Sequence, residues 1–207
     1  MTNRIHIATI ALRRPAAVLL VWGALMLTGL TPRVALPAVA ADLDGVSMPE
    51  LLEYGGNSLR LNGMGMRTYS IFRVHIYVAG LYLDHPSADA EAILRSRGVK
   101  LLRIRFTHDV SQDRARDAWA DGFAQNCRAP CHLRPEDLAR FLAAVPEFHR
   151  GDDSTLLFTG DVVDIEVNGR RLGEIADPEF TRAVLAAFIG PNPPSEPFKH
   201  GLLGLQN

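Results

Sequence analysis

Three short β-type segments near the end of the chain, joined by two-residue turns, constrain the fold more than any other feature. Residues 155–159, 162–167 and 170–175 are rich in β-branched and apolar side chains. Gly160-Asp161 and Asn168-Gly169 connect them, and an Asn-Gly pair favours the left-handed backbone of a tight hairpin turn. Because two-residue turns join antiparallel strands, the sequence predicts an antiparallel meander here.

A longer strand is predicted upstream, over residues 72–83. Its residues fall into two sets by parity: Phe72, Val74, Ile76, Val78 and Tyr82 in one, and Arg73, His75 and Tyr77 in the other. This alternation indicates a strand whose first set faces the core and whose second set forms a mixed face. A further strand is expected over residues 99–107.

Helices are predicted between and after these strands. One begins at the cap residue Ser111 and carries an apolar stripe at helical spacing, and the next begins at Pro135. Another follows Asp177 and Pro178, which suit a helix cap and a first-turn proline. Short helices are also expected over residues 87–97 and in the tail, residues 194–204. Helices laid on an antiparallel sheet define an α+β fold.

The N-terminus has the pattern of an export signal. Arg4, Arg13 and Arg14 precede an apolar run at residues 16–30, and Ala38-Val39-Ala40 forms an Ala-x-Ala cleavage site. We therefore expect a signal peptide over residues 1–40, one domain over residues 41–207, and a periplasmic location. An uncleaved membrane anchor is the alternative, and in either case the membrane is contacted only through this segment.

Charge and cysteine content limit the kinds of ligand and the kinds of cysteine chemistry that we expect. The formal net charge is −1, and lysines and arginines are scattered, so no basic face for nucleic acid is expected. Cys127 and Cys131 are the only cysteines. In an oxidising compartment, two cysteines at positions i and i+4 of a helix end favour a structural disulfide. Free thiols, or a metal or redox centre with His132, remain alternatives, although too few ligands are present for a metal site.

The segment Leu61-Asn62-Gly63-Met64-Gly65-Met66-Arg67 carries the strongest functional signal. We interpret it as a short turn region that places one permanent cation inside an apolar, concave surface, which would recognise an anion with an apolar body. Arg67 has the parity of Tyr77, but ten residues of straight strand would separate them by about 33 Å. A turn near Ser70 and Ile71 would bring them together.

Five motifs, in order along residues 61–204, resemble the chalcone isomerase-like domain in its bacterial, secreted form. They are Leu61-Asn62-Gly63-x-Gly65-x-Arg67, residues 76–83 (Ile-Tyr-Val-Ala-Gly-Leu-Tyr-Leu), Val167-Asn168-Gly169 with Leu172-Gly173-Glu174-Ile175, Phe188-Ile189-Gly190-x-x-Pro193, and Phe198-Lys199 with Leu202-Leu203-Gly204. The resemblance implies an open-faced β-sandwich, in which helices cover a large antiparallel sheet and a ligand cleft lies between them.

The resemblance also implies roles for two residues. In the plant isomerases, the arginine of the Gly-x-Gly-x-Arg motif guides a phenolate into intramolecular addition to an enone. In the fatty-acid-binding members, the same arginine and a tyrosine on the next strand hold a carboxylate. Arg67 matches the arginine in both cases, and Tyr77 corresponds to the tyrosine. The isomerases place another tyrosine near the start of the helix that here begins at Ser111, and this chain has none there.

The function expected from this comparison is a noncatalytic, periplasmic binder of a fatty acid or similar amphiphilic carboxylate, without cofactor or metal. One alternative is an isomerase of the chalcone–flavanone type with Arg67 as the electrophilic and positioning residue. Another is a periplasmic interaction or assembly protein whose cleft is vestigial.

The remaining polar residues are expected to be structural. Arg103 and Arg105 alternate with apolar residues on their strand, and we expect them to pair with Asp164 or Glu166 across the sheet. An extension of the anion site is the alternative. Arg73 and His75 belong to the mixed face of residues 72–83 and are weaker candidates for the cleft wall.

Overall fold

The computed structural model describes residues 39–69 and 74–205 of the chain. Its strands are β1 Ala40–Leu43, β2 Val46–Pro49, β3 Leu51–Tyr54, β4 Asn57–Tyr69, β5 Val74–Leu83, β6 Lys100–Phe106, β7 Asp153–Thr159, β8 Val162–Val167 and β9 Arg170–Ala176. Its helices are α1 Ala90–Arg95, α2 Gln112–Asn126, α3 Pro135–Ala144, α4 Pro178–Ile189 and α5 Glu196–Leu202. The predicted signal peptide falls almost entirely outside the described residues and stays a prediction.

Strands β3 to β9 form one seven-stranded antiparallel sheet in which each strand pairs with its neighbour in sequence. The first two strands form a separate hairpin. The turn between β8 and β9 is the predicted Asn168-Gly169 pair, and both residues have positive φ, 50° and 76°. The predicted α+β architecture, a large antiparallel sheet covered by helices, is confirmed.

The helices cover one face of the sheet and enclose the main core. Helix α4 runs through it, with every residue from Ala183 to Ile189 buried. Asp177 caps this helix by accepting a hydrogen bond from the Phe180 backbone amide at 2.7 Å, as its position before Pro178 predicted. Aromatic side chains from several helices fill the space above the sheet, namely Trp119, Phe123, Phe141, Phe180 and Phe188.

The opposite face carries a smaller core of Met48, Leu59, Val78, Tyr82 and Leu101, to which the β1–β2 hairpin contributes. The predicted core face of β5 is confirmed for Val78 and Tyr82, but the prediction that the other face is mixed was wrong. Tyr77, Ala79, Leu81 and Leu83 belong to the main core under the helices, whereas Val78 and Tyr82 belong to the smaller one. Because β5 is an interior strand covered on both sides, its residues 77–83 are apolar on both faces and do not alternate with polar side chains.

The sequence predicted a turn region over residues 61–67, and this prediction was wrong. Residues 61–67 all lie in the thirteen-residue strand β4. The chain reverses between Tyr69 and Val74, since β4 and β5 are antiparallel neighbours. The predicted turn residues, Ser70 and Ile71, and the weak candidate Arg73 lie outside the described residues.

The two cysteines form a disulfide with a Cα–Cα separation of 5.1 Å. They do not share a helix face, however. Cys127 is the C-cap of α2, and Cys131 lies in the connection before α3. The bond therefore ties the end of one helix to the loop that follows it.

Candidate ligand site at Arg67 and Tyr77

Arg67 and Tyr77 are direct partners in the register of β4 and β5. Directly opposed residues of an antiparallel pair project to the same face, with Cβ atoms about 5 Å apart. Here that face is the one covered by helices, since the Tyr77 ring packs edge-on against Phe106 and Phe198 at centroid distances of 5.6 and 5.9 Å. The structure thus brings together the two residues that the sequence proposed as a ligand pair.

The guanidinium of Arg67 is partly buried and has no acidic partner. Its Nη1 donates a hydrogen bond to the backbone carbonyl of Pro194 at 2.8 Å. Among the described residues it forms no ion pair, and the segments outside the description, 1–38, 70–73 and 206–207, contain no Asp or Glu. A carbonyl satisfies one donor but does not neutralise the charge, so the cation keeps most of its capacity to bind an anion.

The Tyr77 hydroxyl is held neutral in this environment. Burial raises the pKa of Tyr77 to about 12, and the positive charge of Arg67 opposes that rise. No hydrogen-bond partner for the hydroxyl occurs in the part of the chain that the structure describes. The Tyr77 hydroxyl is therefore an O–H donor close to a permanent cation, a combination suited to a carboxylate.

The two glycines of the segment have a different role, because they let α5 lie directly on β4. A Cβ at Gly65 would sit 2.5 Å from the Phe198 carbonyl oxygen, and one at Gly63 would sit 2.7 Å from the Gly204 nitrogen. Gly201 likewise has no space for a side chain, since its Cβ would overlap the Met64 carbonyl. Strand and helix pack backbone against backbone, a contact that the sequence pattern did not indicate.

Asn62 completes this attachment of the C-terminal helix. It is the extra residue of a β-bulge in β4, between the pairs Leu61–Tyr82 and Gly63–Leu81. Its side-chain amide donates to the Leu202 carbonyl at 2.9 Å and accepts from the Ser87 backbone amide at 2.7 Å. The motif around Arg67 therefore combines one candidate ligand residue with three residues that hold α5.

His75 does not line the face with Tyr77. A second irregularity in register, between Arg67 and Thr68, places two residues of β5 opposite one of β4. The His75 ring pairs with the Asp44 carboxylate at 2.8 Å, in the turn of the β1–β2 hairpin. This pair helps to attach the hairpin and takes His75 out of the candidate site.

Arg103 and Arg105 pair across the sheet, but the predicted acids were wrong. Both contact the Asp153 carboxylate of β7, at 3.2 and 2.7 Å. Asp164 instead forms an ion pair with Arg171, and Glu166 accepts a hydrogen bond from the Tyr54 hydroxyl at 2.9 Å. Strand β7, whose residue at this register is Asp153, lies between β6 and β8 and separates the arginines from the acids of β8.

Two of the cavities on the surface of the described domain are large enough to compare with ligand sites. One, of about 530 Å³, lies between the β1–β2 hairpin and β4, and the other, of about 390 Å³, lies between α1 and α4. Neither has Arg67 or Tyr77 in its wall. Within the described residues, no group of three or more His, Cys, Asp or Glu side chains is placed to hold a metal ion, and no helix is long and apolar enough to cross a membrane.

Comparison with known proteins identifies the family and the fold. A family model described as chalcone isomerase-like matches residues 40–204. Among solved structures, a fatty-acid-binding protein of Arabidopsis thaliana superposes with a TM-score of 0.65 at 16% sequence identity, over 80% of this chain and 95% of the plant chain. At that identity the similarity concerns the fold alone. No curated protein matches the sequence.

Proposed function

The chain belongs to the chalcone isomerase-like family, and on that premise we propose that it is a noncatalytic periplasmic protein that binds a fatty acid or a similar amphiphilic carboxylate. The ligand carboxylate would bind to Arg67 and Tyr77. The hydrocarbon would lie against the aromatic side chains beside them.

One observation carries the proposal: a partly buried guanidinium without a carboxylate partner lies next to a neutral tyrosine hydroxyl that has no partner among the described residues. Desolvated cations in proteins are ordinarily paired, because leaving a charge unpaired away from water is costly. A bound carboxylate would supply the missing negative charge, and Arg67 can hold it with two parallel hydrogen bonds.

Aromatic side chains form the apolar surroundings of the pair. Phe106 stacks on Phe148 at a centroid distance of 4.0 Å, and Tyr77 bridges Phe106 and Phe198 edge-on. Phe198 lies in the first turn of α5, and Pro194, whose carbonyl accepts the bond from Arg67, lies just before the N-cap Ser195 in the connection from α4. A ligand would enter by displacing this connection, with its carboxylate replacing the Pro194 carbonyl.

The second candidate function is a periplasmic interaction protein with a vestigial cleft. The hydrogen bond from Arg67 to the Pro194 carbonyl also supports this candidate. Pro194 already occupies one donor of Arg67, and neither of the two cavities described above includes the arginine. In that case Arg67 serves to fasten α5 to the sheet, and no ligand is bound there.

The test is fatty-acid binding by the mature protein, residues 41–207. We expect native mass spectrometry of the periplasmic preparation to show a co-purifying lipid, and the delipidated protein to bind palmitate in calorimetric titration. Arg67→Gln should weaken palmitate binding by about tenfold or more, since one charge-assisted pair is lost.

Arg60→Gln is the matched control, since Arg60 lies exposed on the same strand and has no ion pair among the described residues. Its affinity for palmitate should equal that of the unmodified protein. Equal affinities for all three proteins would reject Arg67 as the carboxylate ligand. A folded protein that neither co-purifies with lipid nor binds palmitate would favour the interaction protein.

A further inference from the structure

The cavity between α1 and α4 has a strongly cationic wall. Arg95, Arg97, Lys100 and Arg182 line it, whereas Asp161 is the single acid among its lining residues. Its volume of about 390 Å³ lies within the range of small-molecule sites. Apolar side chains complete the wall, namely Leu94, Phe158 and Leu185.

Lys100 is the buried member of this set, with only 5% of its surface exposed. Its Nζ donates to the Ser96 carbonyl at 2.7 Å and to the Gly98 carbonyl at 3.0 Å. An ammonium has three protons, so one donor is left over. Lys100 has no ion pair among the described residues, and Asp84 acts on its charge only from beyond 4 Å.

The two carbonyls solvate the ammonium without neutralising it. Burial accordingly lowers the pKa of Lys100 below its ordinary value, against the opposing charge of Asp84. A buried cation in this state gains most from an external anion, because the anion provides the counter-charge that the protein lacks.

The three arginines that form the rim of the cavity, Arg95, Arg97 and Arg182, are incompletely neutralised as well. Arg97 pairs with Asp161, but Arg95 and Arg182 share the single carboxylate of Glu91, at 3.4 and 4.0 Å. The first turns of α4 also line the cavity, through Pro178, Thr181 and Arg182.

We propose that this cavity binds a small organic molecule with an oxyanion group, phosphate or carboxylate. The oxyanion lies between Lys100 at the floor and Arg182 at the rim, and the apolar part lies against Leu94, Phe158 and Leu185. This site is separate from Arg67 and does not depend on the fatty-acid function.

The experiment is an amide NMR titration of the mature protein at constant ionic strength, with glycerol 3-phosphate in one arm and butyrate in the other. We expect saturable shifts at residues 95–98 and 160–161 in at least one arm, and the arm that saturates identifies the oxyanion. Arg182→Gln should weaken that binding about tenfold.

Arg170→Gln is the control, because Arg170 is exposed at the β8–β9 turn and does not line the cavity. Its affinity should be unchanged. Lys100→Met should abolish binding, and if that variant does not fold, Arg95→Gln replaces it, with an expected loss in the same direction. Shifts that fail to saturate in both arms, or equal affinities for Arg182→Gln and Arg170→Gln, would overturn the site.

Discussion

The carbonyl oxygen of Phe198 occupies the position that a side chain at Gly65 would need, since a Cβ there would lie 2.5 Å away from it. Helix α5 therefore rests on the bare backbone of β4. This contact sets the height of α5 above the sheet, and with it the position of the Pro194 carbonyl that meets Arg67.

Gly65→Ala should consequently lower the free energy of unfolding by about 2 kcal/mol, because the added methyl overlaps backbone that has no freedom to move aside. Urea denaturation measures this loss. Gly173→Ala in β9 is the control, since a Cβ there meets nothing within 4 Å. Equal losses for the two variants would show that α5 does not pack on β4 as described.

Tyr77 should make the protein less stable at high pH. Its pKa is about 12 in the folded state against 10.0 for an unperturbed tyrosine, so the unfolded chain loses this proton first. The contribution is complete below pH 10 and is lost as the pH rises towards 12, at up to about 1.4 kcal/mol per pH unit.

Tyr77→Phe should therefore reduce the fall in stability between pH 10 and pH 12. It should not remove the fall completely, because burial also raises the pKa values of Tyr54 and Tyr82 to about 12. Unfolding midpoints at a series of pH values supply the comparison. Parallel curves for the variant and the unmodified protein would contradict the assignment to Tyr77.

Asp137 in the first turn of α3 should be the most sensitive acidic position. Its side chain is only 4% exposed and pairs with Arg134 and Arg140. Asp137→Asn keeps the shape but removes the charge that both arginines face, so we expect a loss of about 2 kcal/mol in thermal or urea unfolding. The neighbouring, exposed Glu136 offers the control Glu136→Gln, which should change stability by less than about 0.5 kcal/mol.

Reduction of the Cys127–Cys131 disulfide should cost about 2 kcal/mol, because the bond closes a short loop in the unfolded chain. Urea midpoints with and without a reductant measure this, and Cys127→Ser with Cys131→Ser should reproduce the reduced protein. A reductant that also shifts the midpoint of the double variant would act on something other than this bond. Thiol titration of the oxidised protein, with no free thiol expected, tests the bond directly.

Local sequence signals predicted most of the elements after residue 72. Asn168-Gly169 encodes its own turn, and Asp177 with Pro178 encodes the start of α4, because the conformations these residues favour are set within a few positions. The β1–β2 hairpin and β3 were missed. They are four residues long each, and an element of that length shows too little periodicity to recognise.

The predictions from the sequence that were wrong concern contacts between residues far apart in the chain. Asp153 rather than Asp164 or Glu166 meets Arg103 and Arg105 because strand order decides which side chains are neighbours. His75 faces Asp44 because of the irregularity in register between Arg67 and Thr68, and no residue type in the sequence indicates this bulge. The glycines beside Arg67 were interpreted as a turn, although they serve a helix more than a hundred residues later in the chain.

By itself, the sequence determined the class of fold and named Arg67 and Tyr77 as a pair. Turn residues and caps are local properties of the chain and carry the fold class directly, whereas the pairing of Arg67 with Tyr77 is what the resemblance of the motifs to a known family implies. Only the tertiary structure decided which face those two residues share, that Pro194 meets the arginine, and that Lys100 lies buried without a carboxylate partner among the described residues. Burial and charge pairing depend on what packs above a residue, and that is set by strand register and helix docking across the whole domain.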